Sequence, residues 1–75
     1  MESFHAWLNY KEMQELEYLI KREMEELLFD FEDHRIDNVV KKAMEERYQI
    51  LFNLYRRIAS PTECTKYIRQ KKHYY

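Results

Sequence analysis

The segment VVKKAMEERYQILFNLYRRI, Val39–Ile58, decides the fold that we predict for this chain. Its apolar side chains recur at spacings of three or four residues, at Val40, Met44, Tyr48, Leu51, Tyr55 and Ile58. At about 100° of rotation per residue, these side chains fall within about 80° of one another. The pattern is typical of an amphipathic helix with one apolar face. Such a face must pack against another part of the protein, which the rest of the chain is expected to supply.

A second stripe of the same kind precedes this segment. Its members, again three or four residues apart, are Tyr10, Met13, Leu16, Ile20, Met24, Leu27 and Phe31. We expect a first helix over about residues 3–32, with Ser3 as its N-cap. The two stripes therefore predict two long helices, each with one face to bury.

The phase of the two stripes predicts a break between Phe31 and Val39. In one straight helix the second stripe would point about 180° away from the first. A turn within EDHRIDN, residues 32–38, brings the two apolar faces together instead. This segment contains the turn and cap formers Asp33, Asp37 and Asn38. We predict an antiparallel helical hairpin; the alternative is one continuous helix within a larger assembly.

The second helix is expected over about residues 37–59, and a short third helix then begins. Ser60 suits the N-cap, Pro61 the first helical position and Glu63 the third. We expect this third helix over about residues 61–71. Its apolar face would consist of Cys64, Tyr67 and Ile68.

The composition favours a single all-α domain. The 75 residues include no glycine and one proline. Tight turns and phosphate-binding loops need glycine, so its absence disfavours a strand-rich fold and a Gly-rich nucleotide site. A chain of this size builds only a small core, which oligomerisation often supplements. We therefore expect a homo-oligomer, most simply a dimer with a four-helix core.

The single cysteine, Cys64, bears on the compartment of the protein. One thiol forms no intramolecular disulfide, which favours the reducing cytoplasm over secretion. The first ten residues lack the leading positive charge and apolar run of a signal peptide. No stretch is long and apolar enough for a transmembrane helix, so we expect no membrane association.

The charge is divided between the two halves of the chain. Residues 1–37 contain eleven acids and four bases, a net charge of −7. Residues 38–75 contain nine bases and three acids, a net charge of +6. In an antiparallel hairpin the two halves lie side by side, so we interpret the division as intramolecular complementarity. Each exposed pair contributes little, but pairings between like charges are penalised.

Catalytic and metal-binding patterns are weak in this sequence. Glu26, Asp30 and His34 share a helix face, but the Glu-x-x-His pattern of helical di-metal sites is absent, because Phe31 precedes His34 by three residues. Cys64 lacks an obvious partner base or oxyanion site, so we interpret it as a packing residue. We expect no metal, no cofactor and no enzymatic activity.

Aromatic side chains on the outer side of the first helix form a candidate partner surface. Trp7, Tyr18 and Phe29 recur every eleven residues, close to three helical turns. Phe4 lies near this line, and Phe52 lies off the stripe of the second helix. Exposed aromatic residues in a line indicate a protein-binding surface. The alternative is that the third helix covers Phe4 and Trp7, and that the others are scattered single residues.

Basic residues interleaved with tyrosines form a candidate basic surface in the C-terminal third. They are Arg56, Arg57, Lys66, Arg69, Lys71 and Lys72. Bases neutralise phosphates and aromatic rings stack on nucleobases, so nucleic acid is a possible partner. The plainer interpretation is a solvated face that partly balances the acidic first helix, since no nucleic-acid-binding signature is present.

The hairpin register yields two further expectations. With a turn near residue 35, residues at one level have numbers that sum to about 70. Trp7 would then pack near the third helix. Arg47 falls within the apolar stripe and level with Glu23, so we predict a buried or half-buried ion pair. The alternative is that Arg47 extends along its aliphatic stem into solvent.

These observations favour a small cytoplasmic helical protein that self-associates and binds another protein. It would act as a regulator or adaptor without chemistry of its own. The alternative is a nucleic-acid-associated protein that uses the basic, tyrosine-rich C-terminal third.

Overall fold

The computed structural model describes residues 8–69 of the 75-residue chain. Its helices are α1, Tyr10–Phe31, α2, Asn38–Tyr55, and the short α3, Pro61–Thr65. The two long helices pack against each other as a hairpin. The predicted all-α hairpin with a short third helix is confirmed for the described residues.

The start of α1 lies later than the sequence stripe indicated. Asn9 is its N-cap, and the Asn9 side chain accepts a hydrogen bond of 2.8 Å from the backbone N–H of Glu12. The Glu12 carboxylate in turn accepts one of 3.0 Å from the backbone N–H of Asn9. This reciprocal capping box makes Tyr10 the first residue of the helix. The expected helix through residues 8 and 9 is wrong, and Ser3 lies outside the described residues.

The turn between the long helices centres on Asp33. Its carboxylate accepts hydrogen bonds from the backbone N–H of Arg35 at 2.9 Å and from the Arg35 guanidinium at 3.0 and 3.1 Å. These bonds, the guanidinium first, lower the pKa of Asp33 below its ordinary value. No described residue has a positive φ angle, so this turn forms without glycine.

The chain turns back after α2 and returns along the hairpin. The helix ends at Tyr55, earlier than the expected residue 59, and Ala59 N–H donates to the Tyr55 carbonyl. Ser60 then caps α3 as predicted, its Oγ accepting from Glu63 N–H at 3.3 Å. The helix ends at Thr65, so the expected extension to residue 71 is wrong for the described residues. Residues 60–69 are called the C-terminal segment below.

The core lies between α1, α2 and the C-terminal segment. Its buried hydrophobic residues are Met13, Ile20, Met24, Leu27, Phe31, Tyr48, Tyr55 and Tyr67. Two edge-on aromatic pairs connect the three parts, with ring centroids 6.2 Å apart for Phe31 and Tyr48 and 5.4 Å apart for Tyr55 and Tyr67. The tyrosines of α2 therefore pack on both α1 and the C-terminal segment.

The buried face of α2 is rotated relative to the predicted stripe. Val40 is half exposed, whereas its neighbour Lys41 is buried at 8% exposure. Lys41, Tyr48 and Tyr55 lie seven residues apart and thus within about 40° of one another on the helix. The rotation arises because the C-terminal segment covers the side of α2 on which these residues lie. Tyr10 is also exposed, contrary to the predicted stripe, because α2 ends before it reaches that level.

Candidate functional site

Three side-chain contacts hold the C-terminal segment against the hairpin. Tyr67 donates its hydroxyl proton to Glu25 Oε2 of α1 at 2.7 Å. The Tyr48 hydroxyl of α2 donates to the Tyr67 carbonyl oxygen, also at 2.7 Å. Arg69 makes the third contact, with Glu45 of α2. The segment is therefore attached to both long helices.

The contact between Arg69 and Glu45 is bidentate. Arg69 Nε lies 2.9 Å from Glu45 Oε1, and Nη2 lies 2.9 Å from Oε2. The guanidinium carbon stands 4.0 Å from the ring centroid of Phe31, within the range of a cation–π contact. Arg69 is thus half-buried, with its guanidinium held by Glu45 and Phe31. Its expected membership of an exposed basic surface is wrong.

The hairpin has two long faces, and the C-terminal segment covers one of them. Two residues lie on the covered face. Glu25 of α1 accepts the hydrogen bond from Tyr67, and Glu45 of α2 forms the ion pair with Arg69. Glu23 and Arg47 each lie two positions from these two residues, about 160° around their helices. They therefore mark the opposite face, which we call the open face.

An ion pair crosses the open face between the two helices. Arg47 Nη2 lies 3.5 Å from Glu23 Oε2, and the two side chains are 59% and 40% exposed. The expected burial of Arg47 is wrong, because the buried side of α2 is turned towards the C-terminal segment, whereas Glu23 is half-buried. Arg47 extends into solvent, as the alternative interpretation held. Exposed pairs of this kind contribute about 0–1 kcal/mol to stability.

The rest of the open face is apolar along α2 and acidic along α1. Leu19, Val40 and Ile50 are exposed there, and Leu54 is half-buried. By helical phase, the face comprises Leu19, Glu23, Glu26, Val40, Ala43, Arg47, Ile50 and Leu54. Several large apolar side chains exposed on one face, here on either side of Arg47, are typical of a surface that binds another protein.

The outer side of α1 carries two of the predicted partner-surface residues. Phe29 is 80% exposed, and Tyr18 is about half exposed. A shallow hollow beside Phe29 is lined by Arg22, Glu25, Glu26 and Asp30. The described part of the line is therefore an aromatic surface with acidic borders. Phe4 and Trp7 lie outside the described residues, and so does the expected contact of Trp7 with the third helix.

Phe52 does not belong to this partner surface. It is half-buried and packs against the core cluster. Together with Cys64 and Ile68 it lines a groove between α2 and the C-terminal segment. Phe52 lies four residues after Tyr48, on the side of α2 that the C-terminal segment covers. The apolar stripe predicts an exposed Phe52 because the stripe is rotated around α2 relative to the face that is buried in the structure.

The candidate basic surface is reduced in the structure. Arg56, Arg57 and Lys66 are exposed. Lys66 forms an ion pair with Glu63 at 3.3 Å, and Arg69 is half-buried in its ion pair with Glu45. Lys71 and Lys72 lie outside the described residues. The described chain therefore presents a short basic cluster rather than an extended basic groove.

The core tyrosines titrate abnormally because they are buried. Burial raises the pKa of Tyr48 and Tyr55 to about 12. Burial also raises the pKa of Tyr67, whose hydroxyl is further held in its protonated form by the hydrogen bond to Glu25. The Tyr55 hydroxyl has no hydrogen-bond partner among residues 8–69. These shifts belong to core packing, since Tyr55 packs edge-on against Tyr67 and Tyr48 packs edge-on against Phe31.

Reactive groups are sparse over residues 8–69. That range contains no cluster of three potential metal ligands. Cys64 is half-buried beside Phe52 and Ile68, a setting that suits a packing residue. None of the described helices is both long enough and apolar enough to span a bilayer.

Sequence reasoning missed the residues that attach the C-terminal segment. Glu25 and Glu45 lie among many acids, and their partners are 42 and 24 residues away in the chain. No local spacing marks such contacts. The chain matches no protein-family model, no curated protein and no solved structure at a significant level.

Proposed function

We propose that this chain works by binding other protein chains, the first of which is a second copy of itself. In this proposal it is a cytoplasmic regulator or adaptor with no chemistry of its own. The observation that carries the proposal is the amount of large apolar surface left exposed. Eight large hydrophobic side chains are exposed in the described range, as many as are buried in the core. Single exposed residues are ordinary, but aligned ones support a binding role.

The outer surface of α1 supports binding of a second, different protein. Tyr18 and Phe29 stand eleven residues apart, or about 16 Å along the helix. Between them lie Arg22, Glu25 and Glu26, so acidic groups surround the rings. Aromatic anchors within a polar rim are the usual composition of a protein interface. The partner best suited to this surface carries apolar side chains among bases.

Affinity capture with matched variants tests this role. Tagged wild-type chain, Phe29→Asp and Val39→Asp would be compared at equal expression. Both substituted side chains are highly exposed, at 80% and 72%, so neither change removes core packing. We expect a protein captured by the wild type to be lost with Phe29→Asp and retained with Val39→Asp. Identical capture by all three chains would contradict the partner surface on α1.

A second candidate function is nucleic-acid association through Arg56, Arg57 and Lys66, which remain exposed. Phosphate contacts from such residues make binding strongly dependent on salt. Retention on immobilised DNA or RNA that falls steeply with salt, and that is lost in Arg56→Ala/Arg57→Ala, would support it. Passage through the column at low salt would rule against it.

A further inference from the structure

The open face differs in charge between its two helices. The α1 edge carries Glu23 and Glu26, and the neighbouring Asp30 extends the acidic edge towards the turn. The α2 edge carries Arg47 among apolar side chains. Glu26 lies 3.7 Å from Arg22, but both side chains are more than 60% exposed, so this contact is weak. The face is therefore complementary to a second face of the same kind in one orientation only.

We propose that a second copy of this chain docks on the open face, with α1 of each copy packed against α2 of the other. The inference rests on the proposed self-association and adds the surface and its geometry. Two-fold symmetry brings two such faces together in two ways. An axis across the helices places α1 on α1, acid against acid. An axis parallel to the helices places α1 on α2, which pairs the acidic edge with Arg47.

The parallel axis also fixes which residues meet. It preserves the height of every residue, and Glu23 stands level with Arg47 within one chain. Arg47 therefore comes level with Glu23 of the second copy, and Glu26 of that copy lies about one helical turn away. Arg47 keeps its contact with Glu23 of its own chain. Leu19 meets Ile50 and Leu54 of the second copy. The apolar side chains left exposed in one copy are thus covered by their counterparts.

The size of the face suits a small, reversible dimer. A helix of 18 residues, the length of α2, is about 27 Å long, and two helices side by side are about 20 Å wide. The contact plane between the two copies then has an area of roughly 540 Å². The side chains that project from this plane add to the buried area. Standard interfaces bury about 800 Å² per partner, so this dimer lies at the low end of stable assemblies.

Two matched isoleucines test the face. Ile50 is 68% exposed on the open face, and Ile68 is 65% exposed on the other side of α2, beside Phe52. Molar mass would be measured by light scattering for wild type, Ile50→Asp and Ile68→Asp at about 100 µM, above a micromolar dissociation constant. We expect twice the 9.5 kDa chain mass for wild type and Ile68→Asp, and the chain mass for Ile50→Asp.

The outcomes distinguish the proposed self-association from the proposal that it occurs through the open face. If wild type and both variants remain dimeric, self-association stands and the open face is the wrong surface. If Ile68→Asp alone dissociates, the dimer forms at the covered face and the inference is overturned. A monomeric wild type overturns the proposed self-association itself.

Cross-linking tests the orientation. In a Cys64→Ser background, chains with Leu19→Cys and chains with Ile50→Cys would be mixed and treated with a short bismaleimide. Peptide mapping then identifies the linked positions. We expect links between positions 19 and 50, and none when the Leu19→Cys chain is treated alone. Links between two copies of position 19, or the absence of 19–50 links, would overturn the arrangement of α1 on α2.

Discussion

The Tyr48 hydroxyl donates a hydrogen bond of 2.7 Å to the carbonyl oxygen of Tyr67, nineteen residues further along the chain. Tyr55 lies seven residues after Tyr48 on the same side of α2, yet its buried hydroxyl has no hydrogen-bond partner in the described part of the chain. The two tyrosines thus share a helix face and the same burial but differ in one hydrogen bond. This difference makes them a matched pair for measuring how the C-terminal segment is held.

Removal of the two hydroxyls is expected to have opposite effects. Tyr48→Phe leaves the Tyr67 carbonyl without its donor, which should lower the free energy of unfolding by about 1–3 kcal/mol. Tyr55→Phe removes a buried hydroxyl that has no partner, so stability should stay the same or rise. Urea unfolding followed by circular dichroism measures both. Equal destabilisation by the two changes would contradict the described contact.

The bidentate geometry of Arg69 should make lysine a poor replacement. Arg69→Lys keeps the charge but loses the paired bonds to Glu45 and the planar contact with Phe31. We expect a loss of about 1–3 kcal/mol in the free energy of unfolding. Arg56→Lys, at an exposed position, serves as the control and should change stability by less than about 0.5 kcal/mol. An equally small effect at Arg69 would show that the segment is held by other contacts.

The two ion pairs across the fold should differ in coupling energy. A double-mutant cycle on Glu23 and Arg47 should give about 0.5 kcal/mol or less, since Arg47 is exposed and Glu23 is only half-buried. The same cycle on Glu45 and Arg69 should exceed about 1 kcal/mol because that pair is bidentate and half-buried. These cycles belong at low protein concentration, where the monomer predominates. A larger coupling for Glu23 and Arg47 would support the burial that the structure contradicts.

Stability should fall at alkaline pH because of the core tyrosines. In the fold the pKa of Tyr48 and Tyr55 is about 12, against an ordinary value of 10. Between these values the unfolded chain releases protons that the folded protein retains, so the free energy of unfolding decreases as pH rises. Below about pH 10 this contribution is fully present.

Urea midpoints measured from about pH 8 to pH 12 test this expectation. The urea midpoint should stay constant up to about pH 10 and should fall at higher pH. Tyr55→Phe removes one of the shifted groups, so its midpoint should fall less steeply. A midpoint that stays constant to about pH 12 would show that these rings are not protected from solvent.

The existence of the hairpin could be predicted because helical periodicity is a local property of the sequence. In one straight helix the apolar stripe that includes Ile20 and the stripe that includes Leu51 would face opposite directions. This difference in direction is sufficient to predict a turn between them. The start of α1 was missed although NYKE, residues 9–12, carries the pattern of a capping box. Apolar residues continue N-terminal to this capping box, so hydrophobic periodicity alone predicts a helix that starts too early.

The sites were harder to predict because they depend on the path of the chain after Thr65. The register rule placed Glu23 level with Arg47, and their ends lie 3.5 Å apart. Their burial depended on how far α2 is rotated, and the C-terminal segment determines that rotation. Arg69 reaches Glu45 only because the chain leaves the helix before it. Such contacts depend on tertiary structure and have no periodic signature.

Sedimentation equilibrium of the wild-type chain, from about 1 to 100 µM, is the most direct test of the proposed dimer, because this range spans a micromolar dissociation constant. We expect a mass that rises with concentration from 9.5 kDa towards twice that value and no further. The upper limit matters because a closed two-fold pairing leaves no second open face for growth. A mass that stays at 9.5 kDa throughout, or one that continues to rise past the dimer, would contradict it.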